Sequence, residues 1–351
     1  MSNKIVAHIV GGGASRVGDA VLKKFKEQNQ QFGYCNWEFH YLDSSDVNYK
    51  NLKEPLGDLT IIGYDNEKQK LVDGSGADRK ANAETLKKGV DAYVEKFKLT
   101  EKQVGVFNIV MFTSSGGTSS VAGPFLLLKL LQNDVNVVGV CIGDSSNTIA
   151  TQNTLNTIAS LDHIAKSLNK CLTLLYYNNH LEDPKNLKNG EAVVNTKIGS
   201  ALEILSTFLS GDNADIDSKD MEIFIEQSRY QGAIQVPAGL FKLYLTSNEV
   251  KREEGVEPTM VRTLTIKEDT NHSFDFDLIH AKNGIITSEI VKERYKDTVP
   301  LIAITLANYF ERECIGLNDR LKHFDKYLSS IKSKPLEGAT GSKANDLGII
   351  L

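Results

Sequence analysis

The chain has 351 residues, a net charge of −5 at pH 7, 41% hydrophobic and 24% charged residues. This composition is that of a globular protein of about two domains, and the scattered Lys and Arg residues do not favour a nucleic-acid-binding surface. No apolar run reaches the ~20 residues that span a bilayer, and no signal peptide precedes the first predicted strand. The widely separated cysteines predict reduced thiols, so we expect a cytoplasmic protein with no membrane or nucleic-acid partner.

The first predicted elements are a strand, a glycine-rich loop and a helix. Residues 4–10 predict the strand, residues 11–18 the loop, and residues 19–28 a helix with one apolar side. This order is typical of a phosphate or dinucleotide site, although the glycine spacing matches neither common phosphate-binding motif. The candidate nucleotide-binding residues in this loop are Gly11, Gly12, Gly13, Ser15 and Arg16.

Two further polar turns follow along the chain. Residues 37–42 predict a strand that ends in Asp43-Ser44-Ser45-Asp46, a sequence that suits a hydrated Mg²⁺, a ribose or an ordinary turn. Residues 74–80 precede a helix predicted over residues 82–97, and their basic side chains are suited to neutralising phosphates. The candidates for nucleotide binding are Ser44, Ser45, Gly76, Ala77, Asp78 and Arg79, and the candidate metal ligand is Asp46.

The most informative stretch is the Ser-, Thr- and Gly-rich segment at residues 113–123. It lies between an apolar run at residues 104–112, predicted as a buried strand, and residues 124–131, predicted as a helix. Glycine allows close backbone approach, and the amides of such a turn at a helix N-terminus attract an anion, most often phosphate. A flexible surface loop is the alternative, although linkers rarely interrupt a core. The candidate binding residues are Ser115, Gly116, Gly117, Thr118 and Ser119.

Strands and helices continue to alternate up to about residue 188. Residues 135–142 and 171–178 predict strands, with a helix over residues 148–168 between them. The first of these strands is followed by Gly143-Asp144-Ser145-Ser146-Asn147. This alternation predicts a parallel α/β sheet, with ligands at the carboxyl ends of the strands.

The pattern changes at Gly190. Residues 191–209 predict a long helix, and an acidic loop and a helix at residues 221–227 follow. Segments of β character lie at residues 233–236, 240–246, 261–266, 274–279 and 284–289, and a helical region covers residues 299–331. The predicted fold class is therefore α/β, with a parallel-sheet domain at 1–188, a central helix at 189–210, a smaller α+β domain at 211–331 and a tail at 332–351.

The tail combines a polar segment with an apolar end. Residues 332–345 are rich in Lys, Ser, Gly and Ala, a composition that predicts flexibility. The apolar end consists of Leu347, Ile349, Ile350 and Leu351. A frayed terminus is the usual interpretation of such an end, and a docking peptide is the alternative.

The order of these loops resembles that of the tubulin/FtsZ superfamily. Residues 115–120, Ser-Gly-Gly-Thr-Ser-Ser, are similar to the family signature GGGTGSG, with serine at 115 and 119 where the family usually has glycine. Residues 11–18 and 74–80 resemble the family's first and third nucleotide loops. The sequence Ser-Val-x-Gly-Pro at residues 120–124 and the flexible tail resemble the phage-encoded tubulins of the PhuZ group, and the resemblance covers nearly the whole chain.

This resemblance implies a GTP-binding domain, with GTP or GDP and Mg²⁺ as cofactors, in a protein that polymerises head to tail into dynamic filaments. Asn195 occupies the position that reads guanine, and Glu191, one turn earlier, stands where relatives often have an aromatic residue that stacks on the base. Asp144 matches a ribose contact, and Asn147 in the same loop is a further candidate. Phage DNA, its replication compartment or capsids are the implied cargo in the host cytoplasm.

The acidic loop contains two Asp pairs of equal spacing, Asp212/Asp215 and Asp217/Asp220. Counted from Asn195, Asp217 and Asp220 fall at the position of the family's hydrolytic pair. The resemblance implies that they orient a water for attack on the γ-phosphate bound by the next subunit. The first pair stays open as an alternative, and so does a role of these carboxylates in capping a helix.

Two other functions fit parts of the sequence. One is a nucleotide-binding scaffold that polymerises without hydrolysis. The other is a monomeric Rossmann-type dinucleotide enzyme, but the glycine spacing at residues 11–18 is wrong for it and no acidic residue about 20 positions onward is clearly placed for a ribose.

Overall fold

The structure, a computed structural model, describes residues 3–17, 35–65, 70–71, 79, 82–211, 213, 215–227, 236–247, 255–266, 281–297 and 300–332. Several predictions concern residues outside these ranges. They are the helix at 19–28, Gly76, Ala77, Asp78, Asp212, most of the strand at 233–236, the strand at 274–279 and the tail from residue 333.

The described chain forms twelve strands and ten helices. The strands are β1 (Lys4–Val10), β2 (Asn36–Asp43), β3 (Asp58–Ile61), β4 (Tyr64–Asp65), β5 (Lys70–Leu71), β6 (Val106–Thr113), β7 (Val137–Gly143), β8 (Cys171–Asn178), β9 (Gly239–Thr246), β10 (Glu257–Thr265), β11 (Ala281–Ile285) and β12 (Leu301–Ala307). The helices are α1 (Gly11–Val17), α2 (Val47–Lys50), α3 (Ala83–Lys96), α4 (Ser119–Gln132), α5 (Thr148–Ser167), α6 (Asn179–Glu182), α7 (Leu187–Leu209), α8 (Ser218–Ile225), α9 (Glu289–Arg294) and α10 (Tyr309–Lys332).

A ten-stranded sheet forms the centre of the fold, in the order β11-β10-β12-β9-β8-β7-β6-β1-β2-β3. Neighbouring strands from β3 to β9 in this order are parallel, whereas β12 runs antiparallel to both β9 and β10. The predicted α/β class with a parallel sheet is therefore confirmed. Because the strands are parallel, the carboxyl ends of β1, β2, β6, β7 and β8 meet at one edge.

The central strands are buried on both faces, so successive residues alternate between two apolar cores. Ile9 and Met111 belong to one core, and Val10 and Phe112 belong to the other. The long helix α7 covers the first face with a buried stripe that includes Leu202, while α3, α4, α5 and α10 cover the second. This layering fixes the loops at both edges of the sheet, because each loop joins a buried strand to a packed helix.

The two glycine-rich stretches contain shorter loops than predicted. The helix α1 begins at Gly11 directly after β1, and α4 begins at Ser119 rather than at residue 124. Gly11 makes the turn out of β1 with a φ of +80°, a conformation that glycine adopts without strain. Both helices therefore begin at the carboxyl edge of the sheet.

The prediction of one helical region over residues 299–331 is wrong in its first part. Leu301–Ala307 forms β12, and α10 begins only at Tyr309. A short apolar run does not distinguish strand from helix by its own periodicity. Pairing with β9 and β10 on its two sides determines the strand.

None of the four cysteines, all of which the structure describes, forms a disulfide bond, and all but the half-buried Cys314 are buried. Within the described part of the chain, no helix is long and apolar enough to cross a membrane.

Candidate functional site

A cavity of about 420 Å³ opens at the carboxyl edge of the parallel strands, a volume within the usual range of about 300–1,000 Å³ for ligand pockets. The described residues that line it are Gly11, Gly12, Gly13, Arg16, Val17, Asp43, Ser44, Ser45, Asn48, Thr113, Ser115, Gly116, Gly117, Thr118, Ser119, Ile142, Asp144, Asn179, Glu191 and Asn195. The structure therefore brings together most of the residues that the sequence predicted for nucleotide binding.

Three of the described residues predicted for nucleotide binding lie outside this lining. Ser15 is buried under the first turn, where its hydroxyl donates to the carbonyl oxygen of Gly11 at 3.1 Å. Asn147 caps α5 by accepting a hydrogen bond from the backbone of Ala150 at 2.9 Å. Arg79 is held against α5, because its guanidinium donates to Thr157 Oγ1 at 2.7 Å.

The two glycine-rich turns pack directly on each other. A Cβ atom at Gly11 would lie 2.8 Å from Ser119 Cβ, closer than real Cβ contacts, so the approach depends on glycine. The hydroxyl of Ser119 donates to the carbonyl oxygen of Thr113 at 2.8 Å, inside its own turn. The hydroxyls of Ser44 and Thr118 lie 2.7 Å apart and join the end of β2 to the same turn. The turns thus form one floor beneath the cavity.

The N-terminus of α4 lies at this cavity, because Thr118 and Ser119 both line it. The side chain of Thr118, the residue before the helix, makes no capping bond, and neither α1 nor α4 has an acidic residue in its first turn. Uncapped N–H groups and the positive end of the helix dipole attract an anion. This end of the cavity is therefore suited to phosphate groups.

The side chains of the lining are more acidic than basic. Among the described lining residues, Arg16 is the one basic side chain, whereas Asp43, Asp144 and Glu191 are acidic. A ligand with several phosphate charges would therefore be bound together with a cation.

Asp43 has the properties of a cation ligand. One carboxylate oxygen accepts a hydrogen bond from the backbone N–H of Ser44 at 2.7 Å, and the other oxygen is buried without a hydrogen-bond partner among the described atoms. Burial raises the pKa of Asp43, against the opposing effects of hydrogen bonds from the backbone of Ser44, the side chain of Asn48 and the backbone of Ser45. Asp46, the predicted metal ligand, pairs instead with Lys50 at 2.6 Å and lies outside the lining.

Three polar residues form the side of the cavity opposite the acidic turn after β2. Glu191 and Asn195 lie one turn apart on α7, and Asn179 begins α6 directly after β8. The side-chain oxygen of Asn179 is buried without a hydrogen-bond partner among the described atoms. Sequence reasoning missed Asn179 and Asn48, although the position of Asn179 after a predicted strand was an available signal.

Asp217 and Asp220 are at the start of α8, outside the cavity lining. Each carboxylate accepts a hydrogen bond from the other residue's backbone N–H, at 2.8 and 3.1 Å, so the pair forms a capping box. Asp220 also pairs with Lys282 at 2.5 Å. Burial of Asp220 acts to raise the pKa of its carboxyl, but the hydrogen bond from Lys282 and further favourable contacts outweigh this and lower it.

The helix α8 is attached to the amino edge of the sheet. The hydroxyl of Thr173, near the start of β8, donates to the carbonyl oxygen of Ile225 at 2.7 Å, and Glu226 accepts from the backbone of Cys171 at 3.0 Å. The cavity lies at the other end of this eight-residue strand. A strand of that length spans about 23 Å, so the acidic pair is remote from the cavity of its own chain.

Comparisons with known proteins find relatives with the same fold. No family model matches the chain. It is 23% identical over 295 residues to a phage tubulin-like protein of Pseudomonas phage phiKZ, with 78% of this chain and 85% of that protein covered. A protofilament of TubZ from bacteriophage PhiKZ and a GDP-containing structure of the phage tubulin PhuZ each superpose with a TM-score of 0.74, at 19% and 15% identity, over 99% of both chains.

Proposed function

Because the chain has the tubulin/FtsZ fold and resembles the phage tubulins, as its sequence predicted, we propose that it is a GTPase that assembles into filaments. Each subunit binds GTP in the cavity and polymerises head to tail, and the acidic loop of the next subunit completes the hydrolytic site. The observation that carries this proposal is the position of the cavity and of Asp217/Asp220 at opposite edges of one sheet.

The phosphates would bind at the two turns that begin with Gly11 and Ser115. The N-terminus of α4 and the guanidinium of Arg16 supply positive charge there. Asp43, with its unpartnered buried oxygen, and the hydroxyl of Ser44 would hold Mg²⁺, which supplies the charge that the acidic lining requires. Asp43 therefore replaces Asp46 as the preferred metal ligand.

Asn179 and Asn195 support guanine as the base. The pairing edge of guanine presents two adjacent donors, the ring N1–H and the exocyclic amine, whereas adenine has an acceptor at N1. A carboxamide oxygen accepts from such donors, and the buried oxygen of Asn179 has no partner among the described atoms. Adenine offers one donor at this edge, its exocyclic amine, beside the N1 acceptor, so it makes fewer hydrogen bonds to carboxamide oxygens, and each buried acceptor left unsatisfied costs about 1–3 kcal/mol.

The mouth of the cavity has exposed apolar side chains that a second subunit would cover. Val47, Ile149 and Leu181 are 57%, 61% and 55% exposed, and each lies within a few residues of the cavity lining. At the opposite edge, Val104 before β6 is 91% exposed. A contact between two different faces of identical subunits generates a ring where the rotation closes and an open filament where it does not, and the protofilament of a relative favours the filament.

The relatives support assembly and a phage setting. One solved relative is a protofilament and another contains GDP. The phage source of these relatives supports a filament that moves or positions phage DNA, its replication compartment or capsids in the host cytoplasm.

The test is GTPase activity per subunit measured against protein concentration, with light scattering recorded in the same samples. We expect activity to rise steeply where scattering appears, and GDP, ATP and NADH to produce neither signal. Scattering with GTP but no phosphate release would favour a scaffold without hydrolysis. Activity per subunit that does not depend on concentration would contradict the shared site, and binding of NADH would favour a Rossmann-type enzyme.

A further inference from the structure

The C-terminal helix α10 touches the rim of the cavity through Arg320. Its Nε donates to the carbonyl oxygen of Ser145, and its Nη2 lies 2.5 Å from Nε2 of His180. Ser145 and His180 directly follow Asp144 and Asn179, which line the cavity. One guanidinium on α10 therefore contacts both rim loops, the one after β7 and the one after β8.

The two rim loops are also bonded to each other. The amide oxygen of Asn178 accepts from the hydroxyl of Ser145 at 3.3 Å and from the backbone N–H of His180 at 3.2 Å. Arg320 on α10 adds a contact to each of the two loops, through Ser145 and His180. Because a guanidinium donates in a fixed planar fork, its two bonds define the distance between the loops.

The electrostatics of the group favour a neutral imidazole on His180. Burial and the nearby guanidinium lower the pKa of His180, while Asp144 across the rim acts in the opposite direction. A neutral imidazole nitrogen can accept a hydrogen bond from the guanidinium, whereas an imidazolium cannot. The contact between Arg320 and His180 is therefore stable at neutral pH.

We propose that Arg320 is a positioning residue that couples α10 to the nucleotide cavity. It holds Asp144 and Asn179 in their binding positions through the residues that follow them. A bound nucleotide that contacts Asp144 and Asn179 in turn restrains α10, because coupling between two sites is reciprocal. This inference rests on the proposed function. It adds a link from the cavity to the helix that precedes residues 333–351.

The test compares Arg320→Gln with Lys322→Gln, a matched control two residues away. Lys322 is exposed and pairs with Asp319 on the same helix. The anchor between Glu313 and Tyr176, 2.6 Å long, stays intact in both variants and keeps α10 docked. In monomeric protein we expect Arg320→Gln to weaken GDP binding about 10-fold, within the usual range of coupling between sites, and Lys322→Gln to leave it unchanged.

Hydrogen exchange supplies a measurement that a general loss of stability would not reproduce. In the nucleotide-free protein, Arg320→Gln is expected to speed exchange at the rim, residues 143–147 and 178–181, but not along β1. In the wild type, GDP is expected to slow exchange along α10, and in Arg320→Gln this effect is lost. Arg320→Lys keeps the charge without the fork, so we expect only partial recovery of GDP affinity.

Unchanged rim exchange in nucleotide-free Arg320→Gln would overturn the inference, whatever the protein binds. Unchanged GDP affinity in that variant would also overturn it. If wild-type protein binds no guanine nucleotide, the proposed function fails instead, and rim exchange still decides whether Arg320 holds the two loops.

Discussion

Asp217 and Asp220 each accept a hydrogen bond from the other's backbone N–H, so the two carboxylates proposed for hydrolysis also cap α8. The capping role explains their position in this chain, and the proposed catalytic role concerns the next subunit. The two roles differ in what they require, because capping needs an acceptor oxygen whereas polarising a water needs a negative charge.

Asp217→Asn should therefore separate the two roles. Asn is as good a cap as Asp, so stability should be kept, whereas loss of the charge should abolish GTP turnover and let filaments persist. Asp217→Ala should also lose about 1 kcal/mol of stability, because it removes the cap. Asp215→Asn, at the exposed Asp215 of the alternative pair, is the control and should keep turnover. Phosphate release and thermal unfolding measure the two effects, and full turnover in Asp217→Asn would exclude this pair from hydrolysis.

The choice of guanine should depend on Asn195 and Asn179. Replacing either residue by Ala should cost roughly 1–3 kcal/mol of GTP affinity, because a purine-edge hydrogen bond is lost. Thr196→Ala is the control, since Thr196 is an exposed neighbour whose hydroxyl donates to the carbonyl of Ala192 on the same helix. Isothermal titration of monomers with GTP and ATP gives the affinities. Equal binding of GTP and ATP by the wild type would contradict the assignment of Asn179 and Asn195 to guanine recognition.

The sequence predicts elements well where an apolar run is bounded by turn residues. β1 and β8 begin and end where they were predicted, because each is a buried run followed by glycine or asparagine. The strand β12 was not predicted, because only its pairing with β9 and β10 distinguishes it from the start of α10. The local spacing of apolar residues carries no information about which distant strands pair with each other.

The site was predicted from polar turns at strand ends, and this reasoning has a definite limit. It identifies the residue types that face a ligand, but not the oxygens that lack a protein partner. The buried atoms of Asp43 and Asn179 became visible only when their surroundings were known. The direction of Arg79 was likewise unpredictable, because its partners on α5 lie more than 70 residues away in sequence.

The close contact between Gly11 and Ser119 should make the floor of the cavity sensitive to added volume. Gly11→Ala introduces a Cβ atom 2.8 Å from Ser119 Cβ. It also places a residue with a side chain at a φ of +80°, and this backbone strain alone costs about 1–2 kcal/mol of stability. We expect weaker GTP binding and lower stability. Gly11→Ala combined with Ser119→Gly should recover part of the loss, because it removes the clash but not the backbone strain.

Gly316→Ala is the matched control for this experiment. Gly316 lies within α10, and among the described residues no atom outside its own stretch of helix lies within 4 Å of the position of its missing Cβ. Alanine is favoured over glycine in a helix, so this variant should be as stable as the wild type or more so. If Gly11→Ala bound GTP as well as Gly316→Ala, the two turns would not form a tight floor.

Buried His8 should make the fold sensitive to acid. Its Nδ1 lies 2.7 Å from the hydroxyl of Tyr93 and its Nε2 lies 3.0 Å from Asn108 Oδ1, so a neutral ring is fully hydrogen bonded. Burial is the main cause that lowers the pKa of His8 from 6.5 to about 4. Between these values the unfolded chain binds the proton and the folded chain does not, so stability falls as the pH decreases from 6.5 towards 4.

His8→Gln removes this contribution, so its unfolding temperature should lie below that of the wild type at pH 7 and approach it as the pH falls. Exposed His163 on α5 supplies the control, since His163→Gln leaves the core untouched. Thermal unfolding at several pH values between 4 and 7 measures the difference. If the unfolding temperatures of His8→Gln and the wild type changed with pH by the same amount, buried His8 would not be the source of the acid sensitivity.

The tail beyond α10 should contribute to assembly rather than to nucleotide binding. Residues 333–351 lie outside the described part of the chain, so this prediction rests on the sequence, in which a polar segment of Lys, Ser and Gly carries an apolar end. Removing residues 336–351 should raise the critical concentration several-fold, equivalent to on the order of 1 kcal/mol per contact, and leave the GTP affinity of the monomer unchanged.

The apolar character of the C-terminal end determines how its contact with a neighbouring subunit should respond to salt. Asp346 is the one carboxylate side chain among the last six residues, next to Leu347, Ile349, Ile350 and Leu351. An apolar contact is screened little by ions, so the difference between full-length and truncated protein should persist at high salt. Replacing the four apolar residues by Ser at full length should reproduce the truncation, because the tether is kept and only the apolar surface is lost. Assembly of the truncated protein at the wild-type critical concentration would show that the tail makes no longitudinal contact.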